Sequence, residues 1–472
     1  MSGSVDPVAA AQAAIARGQR GTQAWLRLAM ALHASRRWDE VHGAIEAAHH
    51  AARQAQDFAA LGELLGQLER YEAACAAYDQ ALSIDADNPR YLFNRAAVRR
   101  FVGRIDEAES DYDRVIALDP ADVEAWCNRS ELRGQTLARN HIENLLQRLR
   151  AGFAAPIDEV PIRYALAKEY EDIGRYTQSW EHLAAGAAIR RRHLKYDVRH
   201  DLDTVSWIVQ SFPAAPPDVD GCPSTEPIFI LGMPRTGSTL LERIMSGNAG
   251  IFAAGELFDF AAALVAAVRN KSGTRAMSRQ ELVAASASVD FTALGAAYLE
   301  RTRPRTGHTP YFIDKMPLNY LYGAIIHAAL PNAHLLHLAR HPMATCYAVF
   351  KTLFNQGYPF SYDLTEVADY YIGYHRLMTH WRRVMPDIIL DVSYEKLVTS
   401  PAREARRVFD HCGLEWNDSC LDIGQRASAS TTASAAQVRR PIYATSVDLW
   451  RHYAGPLAGV AERLRHAGIE VA

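Results

Sequence analysis

The feature that most constrains the fold of this chain is a repeat of 34 residues in its first half. Tyr78 and Tyr112 are separated by that interval, and so are Asp85 and Asp119. A period of this length is typical of a helix-turn-helix unit, which buries its apolar face only against neighbouring units. The surrounding sequence is rich in Ala, Leu, Arg and Glu and poor in Gly and Pro. We therefore predict an α-helical repeat solenoid over residues 21–200.

Weaker copies of the repeat occur on both sides of this pair, at residues 25–52 and 164–180. The tyrosine, tryptophan and leucine side chains of the repeats are expected to form the core. A solenoid of this kind also has a concave groove, which can bind a peptide or a partner protein. The sequence identifies no residue of that groove, so a protein partner on the repeats stays an open alternative.

Proline-rich sequence separates the repeats from a second half with a different pattern. Proline recurs between Phe212 and Pro223, and such clusters mark a linker or a domain edge. We therefore divide the chain into an N-terminal extension, a helical repeat domain, a linker and a second domain. The predicted bounds are 1–20, 21–200, 201–225 and 226–472.

Composition excludes several classes of protein. A formal net charge of -3 provides no overall basic field, so no nucleic-acid partner is predicted. No apolar run approaches the ~20 residues of a membrane span, and residues 1–6 lack the basic and apolar segments of a secretory signal. A cytoplasmic protein is therefore expected. The six cysteines include no C-x-x-C pair, which predicts neither a zinc site nor a disulfide framework, although Cys412 and Cys420 could pair in an oxidising compartment.

The second half begins with a strand-loop-helix segment that can form an anion site. Residues 228–231 are a short apolar run that predicts a buried parallel strand, and a helical pattern starts near Leu240. At such a turn the first N–H groups of the helix and its dipole face one point. Ser238 and Thr239 can add hydroxyl donors, and Arg235 can add a positive charge. An ordinary helix cap is the alternative interpretation of the same turn.

This loop lacks the lysine of a nucleotide-hydrolysing loop. That loop reads G-x-x-x-x-G-K-[ST], whereas here Gly237 is followed by Ser238. A triphosphate with its metal ion needs the lysine charge, while a sulfonate carries one negative charge and demands less. The loop therefore favours a sulfuryl donor over ATP, and a small-molecule kinase is the less favoured alternative.

Three charged residues follow at places where a ligand could reach them. Glu256 comes after a glycine and is a candidate general base. Lys315 lies at the end of a predicted strand, where open α/β sheets bind ligands. Arg340 follows another predicted strand, residues 333–339, and precedes a helix that Pro342 would start. Taken singly, each of these charges could equally be an ordinary surface residue.

Together these motifs resemble the sulfotransferase family, in particular the tyrosylprotein-sulfotransferase-like branch that occurs fused to tetratricopeptide repeats in bacteria. The resemblance covers residues 226–472, and the 34-residue repeats upstream match it. It implies an α/β P-loop-like domain with a central parallel sheet behind the helical solenoid. It also implies PAPS (3′-phosphoadenylyl sulfate) as co-substrate, adenosine 3′,5′-bisphosphate as product, and no metal.

The resemblance also implies roles for individual residues. The 5′-phosphosulfate loop would comprise Arg235, Thr236, Gly237, Ser238, Thr239 and Leu240. Arg340 would grip the 3′-phosphate, Glu256 would be the base, and Lys315 would lie beside the transferred group. Tyr394 would lie near the nucleotide. A late loop would close over it with Ser434, Arg439 and Arg440.

One position departs from the family pattern. Ala348 stands where the family has a serine on the 3′-phosphate, and one hydrogen bond to a charged acceptor is worth ~1.5–3 kcal/mol. Arg439, Arg440 and Arg451 are candidates to replace it, while Thr345 lies nearly one helical turn away from Ala348. We expect sulfuryl transfer to a hydroxyl of tyrosine, of another peptide residue or of a small molecule. An inactive nucleotide-binding scaffold is the alternative that the alanine favours.

Overall fold

The computed structural model describes residues 6–35, 37–216, 221–273, 276–307, 309–423 and 442–471. These residues form two compact units, residues 6–182 and residues 183–471. The domain bounds inferred from the sequence, with the repeats at 21–200, stay a prediction.

Helices with short connections make up the first unit. The capping residues explain where individual helices begin and end: the Asn88 side chain accepts the N–H of Tyr91 at 3.2 Å, and Pro89 takes the first helical position. The same helix ends at Gly103, whose φ of 83° suits glycine. The helices up to residue 192 are α1 (Pro7–Ala16), α2 (Thr22–Ala34), α3 (Trp38–Ala51), α4 (Ala55–Gln67), α5 (Tyr71–Ile84), α6 (Pro89–Val102), α7 (Ile105–Leu118), α8 (Val123–Glu131), α9 (Ile142–Arg150), α10 (Glu159–Asp172) and α11 (Tyr176–Arg192).

The residues that carry the 34-residue period lie in the core of this unit. Tyr78 and Tyr112 are buried, and so are Ala74 and Ala108, one repeat apart on the same two helices. A Cβ added at Gly62 would lie 2.9 Å from the ring of Tyr78, so the small residue lets α4 and α5 approach closely. The predicted helical solenoid is confirmed, and Tyr78 and Tyr112 belong to its core.

A five-stranded parallel sheet is the centre of the second unit. The strands are β1 (Pro227–Gly232), β2 (Ile251–Ala253), β3 (Tyr311–Asp314), β4 (His334–Ala339) and β5 (Ile389–Ser393). Their order is β2-β3-β1-β4-β5, and each neighbouring pair is parallel. All six residues of β1 are buried, as expected for a strand covered on both faces. The predicted α/β domain with a central parallel sheet is confirmed.

The second unit also contains α-helices, several of which pack against the strands. They are α12 (Arg199–Ser211), α13 (Ser238–Met245), α14 (Asp259–Ser272), α15 (Arg279–Ser286), α16 (Phe291–Thr306), α17 (Gly323–Ala329), α18 (Pro342–Phe350), α19 (Leu364–Val384), α20 (Tyr394–Thr399), α21 (Pro401–His411) and α22 (Ala458–His466). The chain leaves β1 toward β2 and β3 on one side and later crosses to β4 and β5 on the other. Ligands of open parallel sheets bind at such a reversal, outside the carboxyl ends of the strands.

Two expectations about the chain concern its cysteines and its helices. The structure has Cys412 and Cys420 as buried free thiols within one apolar core cluster, so the pairing considered for an oxidising compartment is not formed here. Among the described residues, no single helix is both long and apolar enough to cross a membrane. The successive helices α15 and α16 pass that test only together, and they are bent by 106°.

Candidate functional site

The loop between β1 and α13 is turned by two left-handed residues. Arg235 has a φ of 66° and Gly237 a φ of 100°, and α13 begins directly afterwards. The hydroxyl of Thr236 donates to the carbonyl of Met233 at 2.8 Å, and the N–H of Leu240 donates to the carbonyl of Gly237 at 2.9 Å. Alternation of right- and left-handed residues before a helix makes successive N–H groups converge on an anion.

Gly237 is also the place where an aromatic ring approaches the loop. A Cβ at this position would lie 2.4 Å from the ring of Tyr394, closer than any real contact allows. Tyr394 is the first residue of α20 and is buried. The glycine is therefore required twice, for its backbone conformation and for the space that the ring occupies.

Arg340 joins this loop to the end of β4. Its Nη1 donates to the carbonyl of Arg235 at 3.0 Å and its Nη2 to the carbonyl of Ser446 at 2.5 Å. The guanidinium carbon lies 4.6 Å from the centre of the Tyr394 ring, a cation–π contact. Burial lowers the pKa of Arg340, and its Nε is buried without an acceptor in the described part of the chain. A buried guanidinium with an unsatisfied donor is suited to an anionic ligand.

Ser446 is a part of this arrangement that the sequence did not reveal. Besides accepting from Arg340 through its carbonyl, it exchanges a hydrogen bond with the hydroxyl of Tyr394, with the two side-chain oxygens 2.6 Å apart. Backbone carbonyls carry no sequence signal, and serine is common in loops. The residue could therefore be found only from the folded chain.

Glu256 and Lys315 form an ion pair at the end of β3. The Lys315 Nζ lies 2.7 Å from Glu256 Oε1, with the lysine side chain 1% exposed and the glutamate 41% exposed. The backbone N–H of Lys315 donates to the carbonyl of Gly255 at 2.8 Å. The structure thus brings together the predicted base and the predicted lysine, with the lysine inside and the carboxylate at the surface.

A second carboxylate, Glu242 on α13, lies behind this pair and was missed. Its Oε1 accepts the N–H of Gly255 at 3.0 Å, and its side chain is buried. Burial raises the pKa of Glu242, against the Lys315 ammonium and the Gly255 N–H, which favour its charged form. Its role depends on the amide of Gly255, which only folding brings near.

Asp314, the residue before Lys315, is a third buried carboxyl. Burial raises its pKa to about 7, although the Tyr298 hydroxyl donates to its Oδ2 at 2.9 Å and favours the charged form. The usual value is 3.8. Between these two pH values the folded chain keeps a proton that the unfolded chain has lost. The stabilisation from the proton is complete below pH ~4 and is lost as the pH rises through about 7.

We expect the variant Asp314→Asn to lack this pH dependence. Asparagine keeps an oxygen for Tyr298 but has no proton to release, so the stability of wild type relative to the variant falls between pH 4.5 and 7.5, by about 3 kcal/mol. Thermal midpoints of both proteins at several pH values measure this difference. The other titratable groups are the same in both proteins, so their contributions cancel in the comparison. A difference that does not change with pH would contradict the assignment.

The family comparison agrees with this geometry. Residues 227–418 match the model of the sulfotransferase family. The chain contains a sulfotransferase domain. Residues 58–88 and 89–122 match the tetratricopeptide repeat. The expected combination of repeats with a sulfotransferase domain is therefore confirmed.

Several known proteins are similar to this chain at lower sequence identity. An uncharacterized protein of Aquifex aeolicus (strain VF5) is 27% identical over 375 residues, which cover 77% of this chain and 48% of that protein. Protein-tyrosine sulfotransferase A of Caenorhabditis elegans is 22% identical over 273 residues, covering 53% and 69%. The chain spans about half the length of the Aquifex relative. The sulfotransferase domain of the Synechococcus PCC 7002 olefin synthase has a TM-score of 0.39 and is 20% identical, covering 55% of this chain and 99% of that domain.

Three further residues considered from the sequence lie in the described part of the sulfotransferase domain. Arg451 is half-exposed and pairs with Asp448 at 2.8 Å, so its contacts are with its own helical turn. Thr345 lies closer to the site, because its hydroxyl donates to the carbonyl of Arg340 at 3.2 Å. Ala348 is buried. The remaining three predicted residues lie outside the described residues: Ser434, Arg439 and Arg440.

A cavity of about 460 Å³ reaches this part of the sulfotransferase domain. Arg340, Thr236, Thr345, His337 and Arg382 are among the residues that line it. Its volume is in the range of small-molecule pockets. Arg340 therefore borders a space large enough for a ligand group.

Proposed function

We propose that this domain transfers a sulfuryl group from PAPS to an acceptor hydroxyl. The proposal is carried by the arrangement at the carboxyl edge of three adjacent parallel strands. A lysine-free anion loop follows β1, the ion pair of Lys315 and Glu256 follows β3, and Arg340 follows β4. The match to the sulfotransferase family supports the same chemistry.

The donor fits these residues through its two anionic ends. The N–H groups at the start of α13 would receive the 5′-phosphosulfate, with the hydroxyls of Ser238 and Thr239 close by. Arg340 would receive the 3′-phosphate, since its buried Nε has no acceptor among the described residues and both terminal nitrogens donate to neutral carbonyls. Its hydrogen bond to the loop carbonyl of Arg235 fixes the separation of the two anion sites.

The proposed transfer is an in-line displacement at sulfur. Glu256 accepts the proton of the acceptor hydroxyl as the oxygen–sulfur bond forms, while the bond from sulfur to the bridging phosphate oxygen breaks. Charge then develops on that departing oxygen, and the Lys315 ammonium and the loop N–H groups stabilise it. The grip of Arg340 on the remote end of the donor contributes by holding the sulfur in position.

The acceptor in this proposal is a hydroxyl, with a tyrosine phenol as the first candidate. The similarity to protein-tyrosine sulfotransferase A of Caenorhabditis elegans supports that choice, and so does the presence of repeats that can hold a peptide. A small molecule with a phenol or alcohol is the alternative acceptor.

The proposal is tested by incubating the full chain with ³⁵S-labelled PAPS and p-nitrophenol, a tyrosine-containing peptide or an alcohol acceptor. Formation of labelled aryl sulfate, together with adenosine 3′,5′-bisphosphate, is the expected result. Ala348, in place of a serine donor, favours a second candidate, a nucleotide-binding scaffold. Tight binding of the bisphosphate without transfer to p-nitrophenol, the peptide or an alcohol acceptor would support the scaffold and overturn the proposed reaction.

A further inference from the structure

Glu242 lies at the junction between the donor loop and the predicted base. It is the fifth residue of α13, the helix that begins at the loop itself. Its carboxylate reaches across to the segment after β2 and accepts the N–H of Gly255 at 3.0 Å. We propose that Glu242 is a positioning residue, which fixes the Gly255 backbone and thereby sets Glu256 and Lys315 relative to the donor loop. The inference rests on the proposed function.

The peptide groups of Gly255 are held on both sides. Glu242 accepts the N–H of Gly255, and the carbonyl of Gly255 accepts the N–H of Lys315 at 2.8 Å. Gly255 has a φ of 71°, a conformation that side chains disfavour. A Cβ there would meet Arg305 only at 3.8 Å, an ordinary contact, so the glycine serves the backbone turn and not a close approach. This turn directs Glu256 toward the lysine.

A carboxylate is a costly group for holding one amide inside a protein. Taking its charge out of water is unfavourable unless partners compensate, and burial accordingly raises the pKa of Glu242. The Lys315 ammonium, itself 1% exposed, favours the charged form of this carboxyl. The hydrogen bond to Gly255 is the contact through which Glu242 acts, and a side chain that keeps an acceptor oxygen at this position can preserve it.

The contacts form a continuous chain from donor to base. The loop ends at Gly237, α13 starts there, Glu242 lies slightly more than one turn further, and its carboxylate holds Gly255. A misplacement of about 1 Å at a reacting centre can cost about 100-fold in rate. Loss of the carboxylate should therefore slow the chemical step while the loop continues to bind the donor.

The variants Glu242→Ala and Glu242→Gln test this role, with Glu169→Ala as a matched control. Glu169 is also a buried glutamate that accepts a backbone N–H, that of His141 at 2.6 Å, but it belongs to the repeat unit. Transfer from PAPS to p-nitrophenol gives kcat and KM, and calorimetry gives the affinity for adenosine 3′,5′-bisphosphate. Hydrogen exchange of residues 251–258 reports on the Gly255 amide without any turnover.

For Glu242→Ala we expect kcat to fall about 100-fold, the bisphosphate affinity to stay within about threefold, and the Gly255 amide to exchange faster. Glu242→Gln, which keeps an oxygen for the amide, should recover kcat to within about tenfold of wild type. Glu169→Ala should lower the thermal midpoint and leave kcat unchanged.

Three outcomes would overturn the inference. They are unchanged kcat in a folded Glu242→Ala protein, unchanged exchange at Gly255, or an equal loss of kcat and bisphosphate affinity, which would indicate general collapse of the loop. Failure of the proposed function is distinguishable, because wild type itself would then bind the bisphosphate and transfer nothing. In that case faster exchange at Gly255 would still support the contact, and unchanged exchange would overturn it.

Discussion

Replacing Arg340 with alanine is expected to weaken the binding of adenosine 3′,5′-bisphosphate by about 100- to 1000-fold. The estimate follows from the loss of one or two charged hydrogen bonds, each worth ~1.5–3 kcal/mol, at about tenfold in affinity per 1.4 kcal/mol. Burial strengthens such bonds because little water competes for the guanidinium. Titration calorimetry with the purified chain measures the loss directly.

Binding of a second nucleotide distinguishes loss of the 3′-phosphate contact from general damage to the fold. Adenosine 5′-phosphate lacks the 3′-phosphate, so its affinity should change by less than about tenfold in Arg340→Ala. Arg463→Ala is a suitable control, since that arginine pairs with Asp369 at the surface of the same unit. Equal losses for the two nucleotides would contradict the assignment of Arg340 to the 3′-phosphate.

Glutamine at position 256 is expected to lower kcat by about 100- to 10,000-fold, the usual contribution of a positioned general base. Glutamine is the better substitution here because Lys315 is buried and would lose its acceptor in an alanine variant, at a cost of several kcal/mol. The affinity for the bisphosphate should stay within about threefold, since the donor sites lie on the loop and Arg340.

The measurement is initial-rate kinetics with labelled PAPS and p-nitrophenol, alongside calorimetry. Glu281→Gln is the matched control, an exposed glutamate that caps α15 of the same unit through Ser278. Transfer by Glu256→Gln at close to the wild-type rate would remove Glu256 from the role of base and leave the donor assignment intact.

The parts of the fold that were predictable are those with long or regular patterns. The 34-residue spacing gave the solenoid, and β1, β3 and β4 followed from apolar runs that end in turns. β2 was not predicted because it is three residues long and two of them are exposed. β5 was missed because Asp391 interrupts its pattern, and only the structure shows that this carboxylate pairs with Arg382 and His337.

The same distinction applies to the site. Lys315 and Arg340 could be proposed from the sequence because each follows a predicted strand at the edge where ligands bind. Glu256 was proposed from the glycine before it and from the family resemblance, and the structure places it against Lys315. Glu242 and Ser446 could not be proposed, because their roles depend on partners that only folding brings near. Glu242 needs the amide of Gly255, and Ser446 acts partly through a backbone carbonyl that any residue has.

The ion pair of Lys315 with Glu256 has a consequence for the order in which substrates can react. The ammonium engages the carboxylate directly, so an acceptor that arrived first would meet a base bound to a cation. Under the proposed mechanism, the donor brings its own negative charge to Lys315 and draws the ammonium toward the phosphosulfate. Glu256 can then accept a proton only when the donor, with its sulfuryl group, is bound. The ion pair would therefore impose compulsory-order kinetics, in which PAPS binds before the acceptor hydroxyl.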